Sequence, residues 1–224
     1  MTHNFESVSL DPAHAAAPLH THEHAATRTI ATLDAAASAV DRLRDAFDEA
    51  FAAVPRGLDP ARSPCPEFAR LMRAALAQAA AEDDLLTPAQ REGAASSYRR
   101  HLLIADPRDR YTVAALVWQP GQASPVHGHH TWCGYAVLDG VLHETLYGWS
   151  EAADRAAPMR TQAREAGAVS YVRAGLSAIH RLANGGTRPA VSLHVYGVPS
   201  ERITTHVNRL VPTDLESAAS AGRH

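Results

Sequence analysis

The sequence predicts a mainly β fold, a sandwich or barrel, with a helical appendage at its N-terminal side. Two textures predict this. From Tyr98 onward, short β-type runs recur between turn signals. Before Tyr98, apolar residues recur at the three- and four-residue steps of a helix. A third observation places function within that frame: His127-Gly128-His129 lies between two glycine turns, Pro120-Gly121 and Asp139-Gly140. On a strand, His127 and His129 share a face, because side chains alternate with period two. This suggests a metal at the mouth of a β-barrel; the bland alternative is a histidine-rich surface loop.

Taken in order, residues 1–27 are rich in Ala, His, Thr and Pro and poor in large apolar residues. Such a segment is expected to be disordered or loosely packed, and its His20, His22 and His24 to be spectators. The helical appendage is expected over 28–97. Ile30, Leu33, Ala37, Val40, Leu43 (or Arg44), Phe47 and Phe51 mark a helix over 30–53, capped by Thr32 or Asp34 and ended by Pro55-Arg56-Gly57. A second helix fits Pro66 to Ala80, with Pro66 and Glu67 suited to its first turn. A short third helix fits Pro88 to Ala94. The barrel is expected over 98–210, with a C-terminal tail over 211–224. Its strands are expected at 100–104, 111–119, 135–138, 141–147, 168–172, 178–183 and 190–198. Many short strands with few helices match a sandwich or barrel.

The chain has 224 residues, 21 basic and 24 acidic, for a net charge of −3. That balance points to neither nucleic acid nor an anionic membrane as partner. No apolar run is long enough to span a bilayer. Cys65 and Cys133 make no disulfide framework, and no secretion signal is read at the N-terminus. The expected location is the cytoplasm.

The spacing around the His-x-His is specific. Gly121, His127, His129, Cys133 and Gly140 resemble the first cupin motif, G-x5-H-x-H-x3-E-x6-G, with Cys133 in place of the glutamate ligand. Gly167, Gly175, His180 and Asn184 resemble the second motif more loosely. Arg173 replaces its proline, and the gap from Gly175 to His180 is longer than usual. A metal would then be held by His127, His129 and His180, all neutral imidazoles, with open positions for an anionic substrate group such as a thiolate. Three histidines do not choose between zinc and iron. A further constellation is Val191-Ser192-Leu193-His194-Val195-Tyr196. Ser192, His194 and Tyr196 lie on one face of a strand whose other face is apolar. They are expected to point inward as a relay in which Ser192 orients His194 and His194 polarises the Tyr196 hydroxyl.

With these motifs in hand, the stretch from about Tyr98 to Pro199 resembles the cysteine dioxygenase family, thiol dioxygenases with a cupin fold (a double-stranded β-helix, or jelly-roll barrel). The resemblance implies that His127, His129 and His180 hold Fe(II). It implies that Ser192, His194 and Tyr196 form the relay beside the iron. It also implies that Cys133 matches the cysteine that forms a thioether with that tyrosine in the animal enzymes. Tyr98 and Arg100 match a Tyr-x-Arg segment whose arginine binds the substrate carboxylate, with Arg99 as the alternative register. There are departures near the substrate. One residue is missing between His129 and Cys133, Gly128 replaces a common aspartate, and Thr131-Trp132 differs from the animal sequence. The implied reaction is oxidation of a small carboxylated thiol by O2, with L-cysteine to cysteine sulfinate first. 3-Mercaptopropionate or mercaptosuccinate is the near alternative. A non-catalytic metal- or ligand-binding cupin and a zinc hydrolase are the distant ones. The oligomeric state is not read from the sequence.

Overall fold

The computed structural model describes residues 37–213. The expected tail histidines, Ile30, Leu33 and the caps Thr32 and Asp34 lie outside them. Helix α1 runs Ala39–Ala52 and α2 runs Pro66–Ala80. The first helix therefore begins later than its periodicity suggested. Ser38 is its cap, its side chain accepting from the Asp41 amide, and Ala37 is exposed rather than on the apolar face. The third helix is a single 3-10 turn over Pro88–Arg91 closed by a Thr87–Gln90 capping box.

Ten strands follow: β1 Arg99–Ala105, β2 Thr112–Trp118, β3 His127–His129, β4 Cys133–Asp139, β5 Val141–Ser150, β6 Arg155–Glu165, β7 Val169–Val172, β8 Gly175–Ala183, β9 Ala190–Tyr196 and β10 Asn208–Leu210. They form two antiparallel five-stranded sheets, ordered β1-β2-β9-β4-β7 and β10-β3-β8-β5-β6. This is the double-stranded β-helix of a cupin. All seven expected strands are present within a few residues of their bounds. Outside those seven ranges lie β3, whose His-x-His was read on a strand without bounds, and β6 and β10, which were not expected. The β6 sequence, with three alanines and Pro158, has weak β propensity, and its pairing along the whole of β5 overrides this. As an edge strand it also tolerates the proline. The packed chain continues past residue 210: Val211 and Thr213 are buried, and Ala156 of β6 bridges to Thr213.

The sheet containing β2, β4 and β9 is buried on both faces. One face, carrying Val113, Ala115, Val117, Ala136, Leu193 and Val195, packs under α1 and α2. The other, carrying Ala114, Leu116, Trp118, Tyr135 and Val137, fills the barrel with Leu142 and Leu182. The helices are joined to the sheet by aromatic contacts, three edge-on and one stacked. Phe68 meets Trp132 at 5.3 Å and Tyr171 at 6.1 Å, while Phe47 and Phe51 meet Tyr111 at 5.2 and 5.7 Å. This double burial explains why β2 and β9 are buried at every residue. It also answers why the opposite face of the Ser-x-His-x-Tyr strand is apolar.

Candidate metal centre

His127 and His129 are buried and on one face of β3, and β8 brings His180 directly opposite His127. The register then slips: His129 pairs with Gly175, so β8 carries a bulge where the sequence had its long Gly175-to-His180 gap. The strands approach closely there. A Cβ on Gly128 would meet the Gly175 carbonyl oxygen at 2.6 Å. The three imidazole centroids lie 4.8 to 5.1 Å apart, and their candidate donor atoms are within 4.8 Å of one another.

The surroundings orient the rings. His127 Nδ1–H donates to the Pro125 carbonyl at 2.9 Å, and His180 Nδ1–H donates to Glu144 at 2.8 Å. Both Nε2 lone pairs are thereby left for another centre. His129 Nδ1 is buried and has no hydrogen-bond partner among the described residues. Burial, reinforced by the nearby His180, pushes His127 down to about 4 and His129 down to about 2. Both are neutral at neutral pH. A converging set of neutral imidazoles, two of them with fixed tautomers, fits a metal ion.

Glu144 of β5 is a buried member of the site that the sequence did not reveal. Burial raises its pKa, but hydrogen bonds from His180 and Gln162 outweigh that and hold the carboxyl below its usual range. Gln162 Nε2 donates to Oε2 at 2.8 Å, and Arg164 lies 3.5 Å away while donating to the Tyr135 hydroxyl at 3.0 Å. In the sequence, Glu144 sits in an ordinary amphipathic strand, and its partners Gln162 and Arg164 in an unexpected one.

The imidazoles open onto a cleft lined also by Tyr98, Arg100, Leu116, Trp118, Cys133, Leu182, His194, Tyr196 and Asn208. Its empty volume, mouth included, is about 340 Å³, at the small end of the range of ligand pockets. Arg100 sits at the mouth, donating to the Tyr98 hydroxyl at 3.1 Å and lying 5.1 Å from that ring's centroid. Tyr98 in turn packs on Trp118 at 4.3 Å. Arg99 does not line the cleft.

The Ser-x-His-x-Tyr face points into this cleft. Trp118 Nε1–H donates to Ser192 Oγ at 2.9 Å, and Ser192 Oγ lies 2.8 Å from His194 Nε2. Indole is a donor only, so the serine proton's nearest acceptor is Nε2, which leaves the proton of neutral His194 on Nδ1. Burial holds His194 well below its ordinary pKa. The expected second link differs: His194 and Tyr196 stack at 5.8 Å and 25° without a hydrogen bond between them. Residues two apart on one strand share a face, and these two rings lie near parallel rather than edge to edge. Trp118 was the member missed, at the end of a run that read simply as apolar strand.

Cys133 pairs directly with Tyr196 across β4 and β9, and both are buried. Burial, and then the charge of Glu144, push the Cys133 thiol well up, so it is protonated at neutral pH. Cys133 is not part of the nitrogen cluster. Asn184, from the second motif, clamps the turn after β8 by donating to the Trp118 and Arg188 carbonyls.

The family model for cysteine dioxygenase type I matches residues 94–209, just over half of the chain. Cysteine dioxygenase type 1 of Danio rerio is 29% identical over 50% of this chain and 57% of its own length. The Homo sapiens protein of the same name is 29% identical over 52% of this chain and 62% of its own. The match thus spans about 57–62% of the length of these curated relatives. Among solved structures, a cupin 2 conserved barrel domain protein from Salinispora arenicola aligns over 48% of this chain and 80% of its own, with 19% identity and a TM-score of 0.36. By the extent of its match to the family model, this chain belongs to the cysteine dioxygenase type I family.

Proposed function

We propose that this chain is an iron-dependent thiol dioxygenase that converts a small carboxylated thiol, L-cysteine first among candidates, to its sulfinate with O2. The observation that carries this reading is one narrow cleft with three convergent imidazoles within it and Arg100 at its mouth. When bound, Fe(II) would supply the acceptor for a substrate thiolate and the redox chemistry that O2 needs. The chain supplies the rest. Arg100, steadied by Tyr98, presents a planar two-pronged donor to a carboxylate. Tyr196 is held as a neutral phenol, its pKa raised well above the ordinary value by burial and then by Cys133, so it offers a proton rather than a charge. Burial keeps His194 neutral, and the Trp118–Ser192–His194 chain fixes it against the Tyr196 ring. Leu116, Leu182 and Trp118 exclude water from the inner wall. Cys133 and Tyr196, facing each other across the sheet, are proposed as the thioether pair; joined peptides lacking two hydrogens after turnover would report it.

One observation favours a second thiol. Among the described residues lining the cleft there is no aspartate or glutamate to meet a substrate ammonium. 3-Mercaptopropionate and mercaptosuccinate, which lack an amine, therefore belong beside cysteine in the test. The test is O2 uptake by protein loaded anaerobically with Fe(II), across these three thiols, with sulfinate measured as product. Uptake matched to sulfinate supports the reading, and the thiol with the highest kcat/KM identifies the substrate. No uptake with any thiol by iron-loaded protein points to a binding cupin or a zinc hydrolase. Arg100→Gln should lower kcat/KM for the preferred thiol roughly 10- to 100-fold, the worth of about 1.5–3 kcal/mol for a charged hydrogen bond. If Arg99→Gln shows that loss instead, the carboxylate contact lies one residue earlier.

A further inference from the structure

We propose that Glu144 is a positioning residue for His180, and that it supplies, one hydrogen bond away from the centre, the negative charge that three imidazoles lack. The proposal rests on the reading that the three histidines hold a metal. Cys133 stands where the motif expects a glutamate ligand, so the set of His127, His129 and His180 has no anion of its own. Glu144 comes from a different strand and touches His180 alone among the three histidines. Its side chain is 5% exposed, and each oxygen has its own donor: Oε1 takes His180 Nδ1–H at 2.8 Å, and Oε2 takes Gln162 Nε2–H at 2.8 Å. Arg164 flanks Oε2 at 3.5 Å and is itself anchored on the Tyr135 hydroxyl and the Val169 carbonyl. A buried carboxylate held at both oxygens cannot swing away from its histidine.

Two consequences follow for the ligand set. Donation to an anion fixes the His180 tautomer and makes its Nε2 a stronger base. His127 donates only to a neutral carbonyl, and His129 Nδ1 has no partner. The three imidazoles are therefore unequal, with His180 the strongest donor. The same network reaches the relay. The Tyr135 hydroxyl is held by Arg164, while its ring stacks on His194 at 5.4 Å and 21°.

The competing account is a buried ion pair that merely ties β5, β6 and β8 together. Co(II) binding to the full-length, metal-free protein separates the two, read by chelator competition and by the visible ligand-field spectrum. Glu144→Gln keeps the shape and removes the charge. It should weaken Co(II) about 10- to 100-fold and shift the spectrum, with Glu144→Asp recovering part of the affinity. Gln162→Leu leaves the carboxylate and its bond to His180 but frees one oxygen, and should cost less, about 2- to 10-fold, because the charge stays in place. If Glu144→Gln does not fold, Gln162→Leu carries the test. Co(II) affinity within twofold of wild type in the folded Glu144→Gln protein, or failing that in Gln162→Leu, would overturn the proposal even if thermal stability fell. Wild-type protein that binds no Co(II) would overturn the metal reading and this proposal together. Because no turnover is measured, a wrong choice of thiol leaves the result unaffected.

Discussion

His127 and His129 are neutral because the protein around them is dry, and this gives the metal-free protein a specific acid response. Their unfolded pKa is about 6.5, and burial lowers His127 to about 4 and His129 to about 2 in the fold. Between these values the unfolded chain binds more protons than the native one. The stability they lend is fully present above about pH 6.5 and drains away as pH falls toward 4. Thermal melts of metal-free protein at steps from about pH 7.5 to 4.5 should show it, and His127→Ala should flatten the slope. An unchanged slope in that variant would place the acid sensitivity elsewhere. At this scale the sequence was most legible where chemistry repeats a spacing. The His-x-His pair, His180 and the alternating Ser192-His194-Tyr196 face could all be read, and the cleft brings them together. Glu144 and Trp118 could not be read, because each is recognisable only by what lies opposite it in the fold.

Between β3 and β8 the element itself sets the ligand geometry. The bulge that absorbs the long second motif leaves no room above Gly128, whose missing side chain allows the Gly175 carbonyl to sit where a Cβ would be. Here the common aspartate of the family could not be accommodated without moving the strand. Gly128→Ala should cost about 1–3 kcal/mol, as overpacking does, and should weaken metal binding because both neighbours belong to the proposed ligand set. Urea unfolding and Co(II) titration check the two effects; a variant as stable as wild type would mean that the strands part freely. The strands that were foreseen carry β-branched or alternating sequence. The unforeseen β6 has a single β-branched residue, Thr161, and owes its conformation to its pairing with β5.

For the molecule, the central sheet is a shared wall between a helix-covered core and the cleft. Phe68 is fully buried and touches Phe51, Trp132 and Tyr171. Phe68→Ala should cost about 3–5 kcal/mol in urea unfolding. A loss under about 1 kcal/mol would show that the helices lie loosely on the barrel. The fold class was legible because period-two runs and turn signals persist through the second half of the chain. The start of α1 was not, because apolar periodicity continues N-terminal to Ser38 while the cap alone fixes the boundary. The shared wall also bears on how the cleft could change. Strands β2, β4 and β9 are packed from both sides, so a new side chain there must satisfy two cores at once. Strands β1 and β10 are sheet edges with exposed residues, and they carry Arg100 and Asn208 to the same cleft. Evolution, or a laboratory selection for a new substrate, has its freedom at those two borders. The proposed oxidising machinery on the inner strands can then stay fixed while the recognition of substrate drifts.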